Sequence, residues 1–548
     1  MKQSTPCLSD ATRVLLRYGT DKTLREASTL YIYVILLLFP FYATDQYFRL
    51  LRDRTAFFTT ATMMLVVCVI FLYLKLLVML MLECIREGGQ LNSLVSELRS
   101  YITSYKPSYT VMDRCMLCFL FISALSTLFS QYHTEAFWGN EGRYQGMFLW
   151  FLYGAAYFII SRYAKPTLKM MQVFLIGGVI SALWGITNFL GMDPFHWLEL
   201  VKEEQRGIFV SSYGNINTYT ATMSIFMAIA GTLYIMASEK CSEDTNWKIR
   251  ELWYPIAFFL LCVALITGRS DNAALAIIAF FIMVPFFTWN NPIRIMRHSY
   301  LCALFGGAMV TSSWLALGTK NPYIQSNDGI LLRLCNDRTA MLFICISGIL
   351  WIMICTVFAN RQTDYAKKIW AGLIMTIIPI GFLGVAALRN HPVLLNSAIG
   401  QFLHFSDSWG SHRGYIWRAA IEEFENFTLK DTLIGTGPET FGLVMKNLRY
   451  DEMKAITGQV FDSPHNEFLQ YLFTTGILGA VSYYSFLISG LVHGIKTNTS
   501  LRSAAAVAIA VYTVTSFVNI SVPITQPYII ILAAFLGTTE TAHVCRNS

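Results

Sequence analysis

The chain has 548 residues, of which 55% are hydrophobic and only 14% charged, and its mean hydropathy is +0.48. Soluble proteins carry about 25% charged residues, so this composition points to a bilayer and excludes disordered, collagenous and small disulfide-framework classes. The formal charge of +7 is spread over many short loops, which argues against a nucleic-acid partner.

Residues 1–28 carry five Lys or Arg and are followed by an apolar run with no small-residue cleavage site behind it. That first run is expected to stay and anchor the chain. Runs long enough to cross about 30 Å of hydrocarbon then recur along the sequence. They fall at 29–48, 57–80, 111–131, 145–162, 169–190, 216–237, 253–267, 271–288, 299–316, 340–358, 368–388, 467–491, 502–519 and 522–539, fourteen in all. Val522, Pro523 and Gln526–Pro527 interrupt the last. Unpaired backbone groups are too costly in lipid for anything but helices, and no ladder of alternating segments suggests a barrel. The expected fold class is therefore an all-α polytopic membrane protein with twelve to fourteen spans.

Orientation follows from the basic residues between spans. With residues 1–28 inside, the inner segments hold 22 Lys and Arg against 10 in the short outer loops, which puts both termini in the cytoplasm. Arg49, Arg52 and Arg54 are the exception, since they fall outside. The expected organisation is a cytoplasmic segment 1–28, eleven membrane helices within 29–388, a large extracytoplasmic loop with short helices at 389–466, membrane helices within 467–540 and a cytoplasmic tail 541–548.

The 78-residue loop 389–466 carries 7 Lys/Arg and 9 Asp/Glu, and with them His391, His404, His412 and His465. It is too long for a plain connector. Tyr415–Phe424 reads as an amphipathic helix with Ile416, Ala419, Ala420 and Phe424 on its apolar side, and Ser411 is the expected N-cap. Gly435-Thr436-Gly437-Pro438 marks the turn that ends this part. The loop has no cysteine, so no disulfide framework is expected there. Cys115 and Cys118 form a lone CxxC inside a span, better read as small apolar packing than as half of a zinc site.

Four outer stretches form a pattern. They are Phe137-Trp138-Gly139-Asn140-Glu141-Gly142-Arg143-Tyr144-Gln145-Gly146, then Arg206-Gly207-Ile208-Phe209 with Gly214-Asn215-Ile216-Asn217, and then Thr267-Gly268-Arg269-Ser270-Asp271-Asn272. The last runs from Arg413-Gly414-Tyr415-Ile416-Trp417 through Gly435-Thr436-Gly437 to Asp462-Ser463-Pro464-His465-Asn466-Glu467, with Gly476-Ile477-Leu478-Gly479 beyond. In this order, over about residues 130–490, the chain resembles the O-antigen ligase and polymerase superfamily. The resemblance implies a GT-C-like helical bundle in the bacterial plasma membrane, with its active site on the extracytoplasmic face. It implies inverting transfer of a glycan from a polyprenyl (undecaprenyl) diphosphate to an acceptor hydroxyl, with neither nucleotide cofactor nor divalent metal. Carried over, His465 is the base for the acceptor, Arg413 the loop arginine and Arg269 the arginine at the mouth of the central hairpin. Arg269 stands one place earlier than in the family's Thr-x-Ser-Arg pattern, with Asp271 behind it.

Chemistry alone leads to the same residues. A leaving diphosphate gathers negative charge, which either a metal or a set of arginines can neutralise. Arg143, Arg206, Arg269 and Arg413 offer bidentate, permanently charged forks, or bind phospholipid headgroups. His465 suits a base near neutral pH, or is the exposed member of a helix-start turn with Asn466. His412 is its competitor. Asn215 and Asn217 either cap a helix or bind sugar and phosphate. Asp271 either favours a helix N-terminus or orients Arg269. Trp138, Tyr144, Trp197, Trp409, Tyr415 and Trp417 are an interfacial belt, with Trp409 and Trp417 placed to stack on sugars or close the loop core. The leading reading is a ligase that moves the glycan to a lipid, protein or cell-wall sugar. A polymerase with the same carrier is the alternative, and a lipid-linked sugar transporter the alternative of another class.

Overall fold

In a computed structural model, the residues described are 10–86, 109–140, 142–237, 246–288, 291–319, 321, 329–359, 368–376 and 406–538. They form a bundle of helices with one short β-ribbon, Phe209–Val210 antiparallel to Gly214–Asn215. Eight helices are long and apolar enough to cross a membrane, nine if the pair Ile330–Asn336 and Arg338–Ile354, bent by 98°, is one span. The multi-span helical membrane architecture is thus present. By length and composition, fewer than fourteen spans qualify among the described residues. The expected span 368–388 lies mostly outside them.

Some expected spans prove to be short apolar helices, namely Leu252–Thr267, Asn272–Thr288 and Gln526–Gly537. At 1.5 Å per residue, the twelve residues of Gln526–Gly537 reach about 18 Å, well short of the hydrocarbon thickness. All twelve are buried, so this helix is shielded by protein. Pro527 in its first turn is pre-set for a helix start. Ile216–Ile235 is also almost wholly buried, and packs between Asn246–Thr267 and Ser500–Thr515 at the centre of the bundle.

One end of the bundle is tied by buried polar contacts. Thr110 and Asp113 make a capping box for Val111–Leu128, satisfying orphan N–H groups from both sides. Asp113 also receives Arg162 Nη2 at 2.6 Å and the Tyr157 hydroxyl at 2.9 Å, which locks that helix to Met147–Tyr163.

At the other end lies Glu467–Thr497, a helix broken at Gly476 (φ 67°, ψ −175°). The break leaves carbonyls unpaired, which lipid does not tolerate unless protein covers them. The loop supplies the partners. Thr436 N–H donates to Phe473 O at 3.2 Å and Gly437 N–H to Thr474 O at 2.9 Å. A Cβ on Gly435 would lie 2.2 Å from the Thr474 carbonyl carbon, and one on Gly476 2.3 Å from that of Leu433. Two glycines therefore let loop backbone and broken helix meet face to face.

Candidate active site

Residues 406–466 build a small core of their own, with Tyr415, Ile416, Ala419, Ala420, Phe441, Met445, Met453 and Phe461 around Phe473 of the broken helix. The expected amphipathic helix belongs to a longer element, Trp409–Glu425. Its start corrects the expected cap. Gly410, Ser411 and His412 all take left-handed backbone (φ 58°, 59° and 68°), so the chain turns sharply where Ser411 was expected to cap. Tyr415 N–H reaches back to Asp407 O at 3.3 Å. Non-glycine residues in this region cost about 1–2 kcal/mol each, and the turn projects Arg413 from the base of the loop core. Trp417 fixes that core to the next segment, its indole N–H donating to Pro464 O at 2.8 Å. Trp409 packs on Trp417 at 5.5 Å.

His465 sits at the centre of a group of charges. Its own backbone is left-handed (φ 51°), and its Nδ1 lies 3.3 Å from Ser463 O. A carbonyl only accepts, so Nδ1 carries the proton and Nε2 is left as the acceptor. Burial, with the charges of Arg143 and Arg413, pushes the imidazole down to about 4. The ring is thus neutral at pH 7, flanked by two cations and stacked edge-on to Phe461 at 5.8 Å.

Those two cations are held differently. Arg143 is buried and gives its fork to Asp462, Nε to Oδ2 at 2.8 Å and Nη2 to Oδ1 at 2.5 Å. The Asp462 side chain is 67% exposed; partial desolvation works against its carboxylate, but Arg143 holds it below the usual range. Arg143, expected as a substrate ligand, is thereby committed to a protein carboxylate. Among the described residues Arg413 makes one side-chain hydrogen bond, Nη1 to Gly410 O at 3.1 Å, and its buried Nε has no partner there. Burial lowers its pKa, opposed by the nearby Asp271 charge. Asp271 accepts from Ile330 N–H at 2.9 Å, so it caps a neighbouring helix and faces Arg413, a third role beside the two expected for it. Asn466 is the N-cap of Glu467–Thr497, with Oδ1 accepting from Leu469 N–H at 3.1 Å.

The remaining expected residues gather around the ribbon 209–215. Arg206 turns back onto its own loop, donating to Val201 O at 3.0 Å and Glu199 O at 3.1 Å. Arg269, left-handed at φ 57°, donates from Nη2 to Gly207 O, so it tethers the same loop. Asn215 caps Ile216–Ile235, its Oδ1 accepting from Asn217 N–H at 2.7 Å. Asn217 Oδ1 accepts from the Ser270 hydroxyl at 2.6 Å, and Asn217 O from Asn519 Nδ2 at 3.3 Å. His465, Arg413, Arg143 and Asp271 therefore converge, while Arg206, Arg269, Asn215 and Asn217 form an adjoining group bound to backbone and to one another.

Sequence reasoning missed three participants. Asp462 and Ser270 stood inside quoted motifs without a role. Glu439 was not singled out at all, although it follows the Gly-Thr-Gly-Pro turn. It is buried, left-handed (φ 60°), and pushed up to about 7 by burial, with Arg143 opposing. It lines a water-sized cavity of about 10 Å³ beside Gln145, Gln470 and Tyr471. His412 lies in the left-handed turn with its Nδ1 buried and, among the described residues, without a partner. His391 and His404 lie outside the described residues. Among those described, no group of three or more His, Cys, Asp or Glu could hold a metal ion.

The fold and this site define a polytopic helical membrane protein in which residues 406–466 pack on one end of the bundle and bring a histidine near two arginines. Residues 328–484 match the O-antigen ligase family, a stretch that includes Arg413, Asp462, His465, Asn466 and the Gly476 break. An O-antigen ligase domain is thus present in this chain, which supports the resemblance to the ligase and polymerase superfamily. No curated protein matches the sequence.

Proposed function

We propose that this protein is a GT-C-like glycosyltransferase of the bacterial plasma membrane. In this reading it moves a glycan from polyprenyl diphosphate to an acceptor hydroxyl at the extracytoplasmic face. The observation that carries the reading is His465, neutral at pH 7 with Nε2 left as acceptor, in charge contact with Arg413 and Arg143. Arg413, with an unpartnered buried Nε, is the cation best placed to receive the diphosphate. Arg143 adds field while it stays on Asp462, and Arg269 acts by holding Gly207. Asn215 and Asn217 border the donor, Trp417 holds the His465 segment, and Asp271 orients Arg413.

In the reaction, His465 Nε2 takes the proton of the acceptor hydroxyl as its oxygen bonds to the anomeric carbon. The bond from that carbon to the phosphate oxygen breaks, and its electron pair leaves on the diphosphate. The configuration inverts. A base with a pKa near 4 is weak in the empty site, but the arriving diphosphate opposes the two arginines and raises it towards the working range. The test is release of lipid diphosphate from a polyprenyl-diphosphate glycan by purified protein in EDTA. Metal-independent release, largely lost in both His465→Ala and Arg413→Ala, is expected. Activity that survives both substitutions overturns the site, and products that grow as ladders of repeat units identify a polymerase.

A further inference from the structure

Arg54 stands in a short segment where the positive-inside pattern has no place for it. It lies one turn into Leu50–Arg86 and is completely buried. Its Nη2 donates to Pro40 O at 2.6 Å and to Ser212 O at 2.9 Å, and the guanidinium lies 5.3 Å from the Phe39 ring. The adjacent Asp53 does not share these bonds. Its Oδ2 accepts from Thr44 N–H at 2.6 Å and the Thr44 hydroxyl at 2.7 Å, which pins the turn between the first two long helices. Among the described residues, Arg54 Nε and Nη1 have no partner. Burying a cation this way costs several kcal/mol, and an apolar side chain would fill the space at less cost. The arginine must therefore do something an apolar chain cannot.

What it reaches is the bend of the ribbon loop. Ser211 is left-handed (φ 54°), and the Ser211 and Ser212 carbonyls both point to the first hairpin. Tyr47 takes the first, its hydroxyl donating to Ser211 O at 2.8 Å, and Arg54 takes the second. Tyr47 also packs on Phe209 at 4.9 Å and Trp197 at 5.2 Å. A Cβ on Gly214 would come within 3.0 Å of Leu50. The hairpin and the ribbon are thus fitted together closely, far in sequence from the family-matched stretch.

Resting on the function proposed above, we propose that Arg54, with Tyr47, is a positioning residue for the donor-binding loop 206–217. Together they hold the Ser211 and Ser212 carbonyls so that Asn217, capped by Asn215, meets Ser270 at the mouth of the site. The first hairpin then belongs to the catalytic unit.

The test compares Arg54→Met, Arg54→Lys and Tyr47→Phe in the full-length protein in lipid nanodiscs. Two quantities are read: hydrogen exchange of peptides covering 206–217 and 440–465, and affinity for undecaprenyl diphosphate. The Arg54 variants are expected to exchange roughly tenfold faster over 206–217 and to bind roughly tenfold more weakly, with 440–465 unchanged. Tyr47→Phe moves both in the same direction by less. Arg54→Lys and Tyr47→Phe keep the test decisive if Arg54→Met does not insert. Unchanged exchange over 206–217 in those two variants overturns the proposal, as does faster exchange with unchanged affinity. Wild-type protein that does not bind undecaprenyl diphosphate defeats the functional reading and the donor role with it, while exchange alone still decides whether Arg54 holds the loop.

Discussion

Between Arg143 and Arg413, His465 is discouraged from holding a proton until an anion arrives. Its two pH limits should therefore separate. In the unliganded protein the imidazole titrates near 4; above that it is neutral and competent, below it the base is lost. The acid limb of kcat/KM should fall there, since that ratio reports the unliganded enzyme. The acid limb of kcat should lie at higher pH, because the bound diphosphate cancels part of the arginine field. Coincident limbs in a pH-rate series would remove the arginines from the role given to them. Asp462→Ala is the second residue-scale prediction. It leaves Arg143, whose side chain is only 11% exposed, without its partner. Water reaches the more exposed carboxylate side, so the loss should be about 1–3 kcal/mol, read as a lower thermal midpoint. His465 and Arg413 could be singled out because Pro464-His465-Asn466 before a helix and Arg413-Gly414-Tyr415-Ile416-Trp417 are local patterns. The commitment of Arg143 was not, since its partner lies 319 positions away.

At the scale of elements, the broken helix Glu467–Thr497 is where the loop gains its position. Gly476 takes a backbone region reserved for glycine, and any Cβ there would meet the Leu433 backbone at 2.3 Å. Gly476→Ala should cost more than about 4 kcal/mol, seen as a collapse of folded yield. Gly490→Ala in the same helix is a milder comparison, since its Cβ would press on the terminal methyl of the movable Met112 side chain, 2.9 Å away. Equal tolerance of both would show that the break is not needed. The sequence marked Gly435-Thr436-Gly437 as a turn and Gly476 as part of a motif. That the two are each other's partners depends on unpaired carbonyls, which appear only once the helix is seen to break. The cap expected at Ser411 failed for a related reason. Serine is a good cap by local preference, but the left-handed run Gly410–His412 takes Ser411 out of the extended backbone that a cap needs.

For the whole molecule, the contacts of the ribbon, the central hairpin, the broken helix and the first turn all lie at one end of the bundle. The Asp113–Arg162 pair lies at the other. If the site end faces outward, Leu429→Cys, in the loop helix Leu429–Ile434 and 77% exposed, should react in intact cells with an impermeant maleimide in a cysteine-depleted background. Tyr18→Cys, at the far end of the first span and 68% exposed, should react only after permeabilisation. The reverse pattern would place the site in the cytoplasm and end the functional proposal.

Apolar runs, charge bias and short motifs are additive along a chain, so the sequence by itself determined a helical multi-span membrane protein and pointed to its resemblance to the O-antigen ligase family. It could not settle how many runs are full spans. Apolar residues look alike whether they face lipid or protein, and only packing reveals that Gln526–Gly537 is enclosed. Nor could it settle which protein groups engage each arginine. That was decided by the tertiary structure, because a guanidinium takes whichever carboxylate or carbonyl the fold brings within about 3 Å.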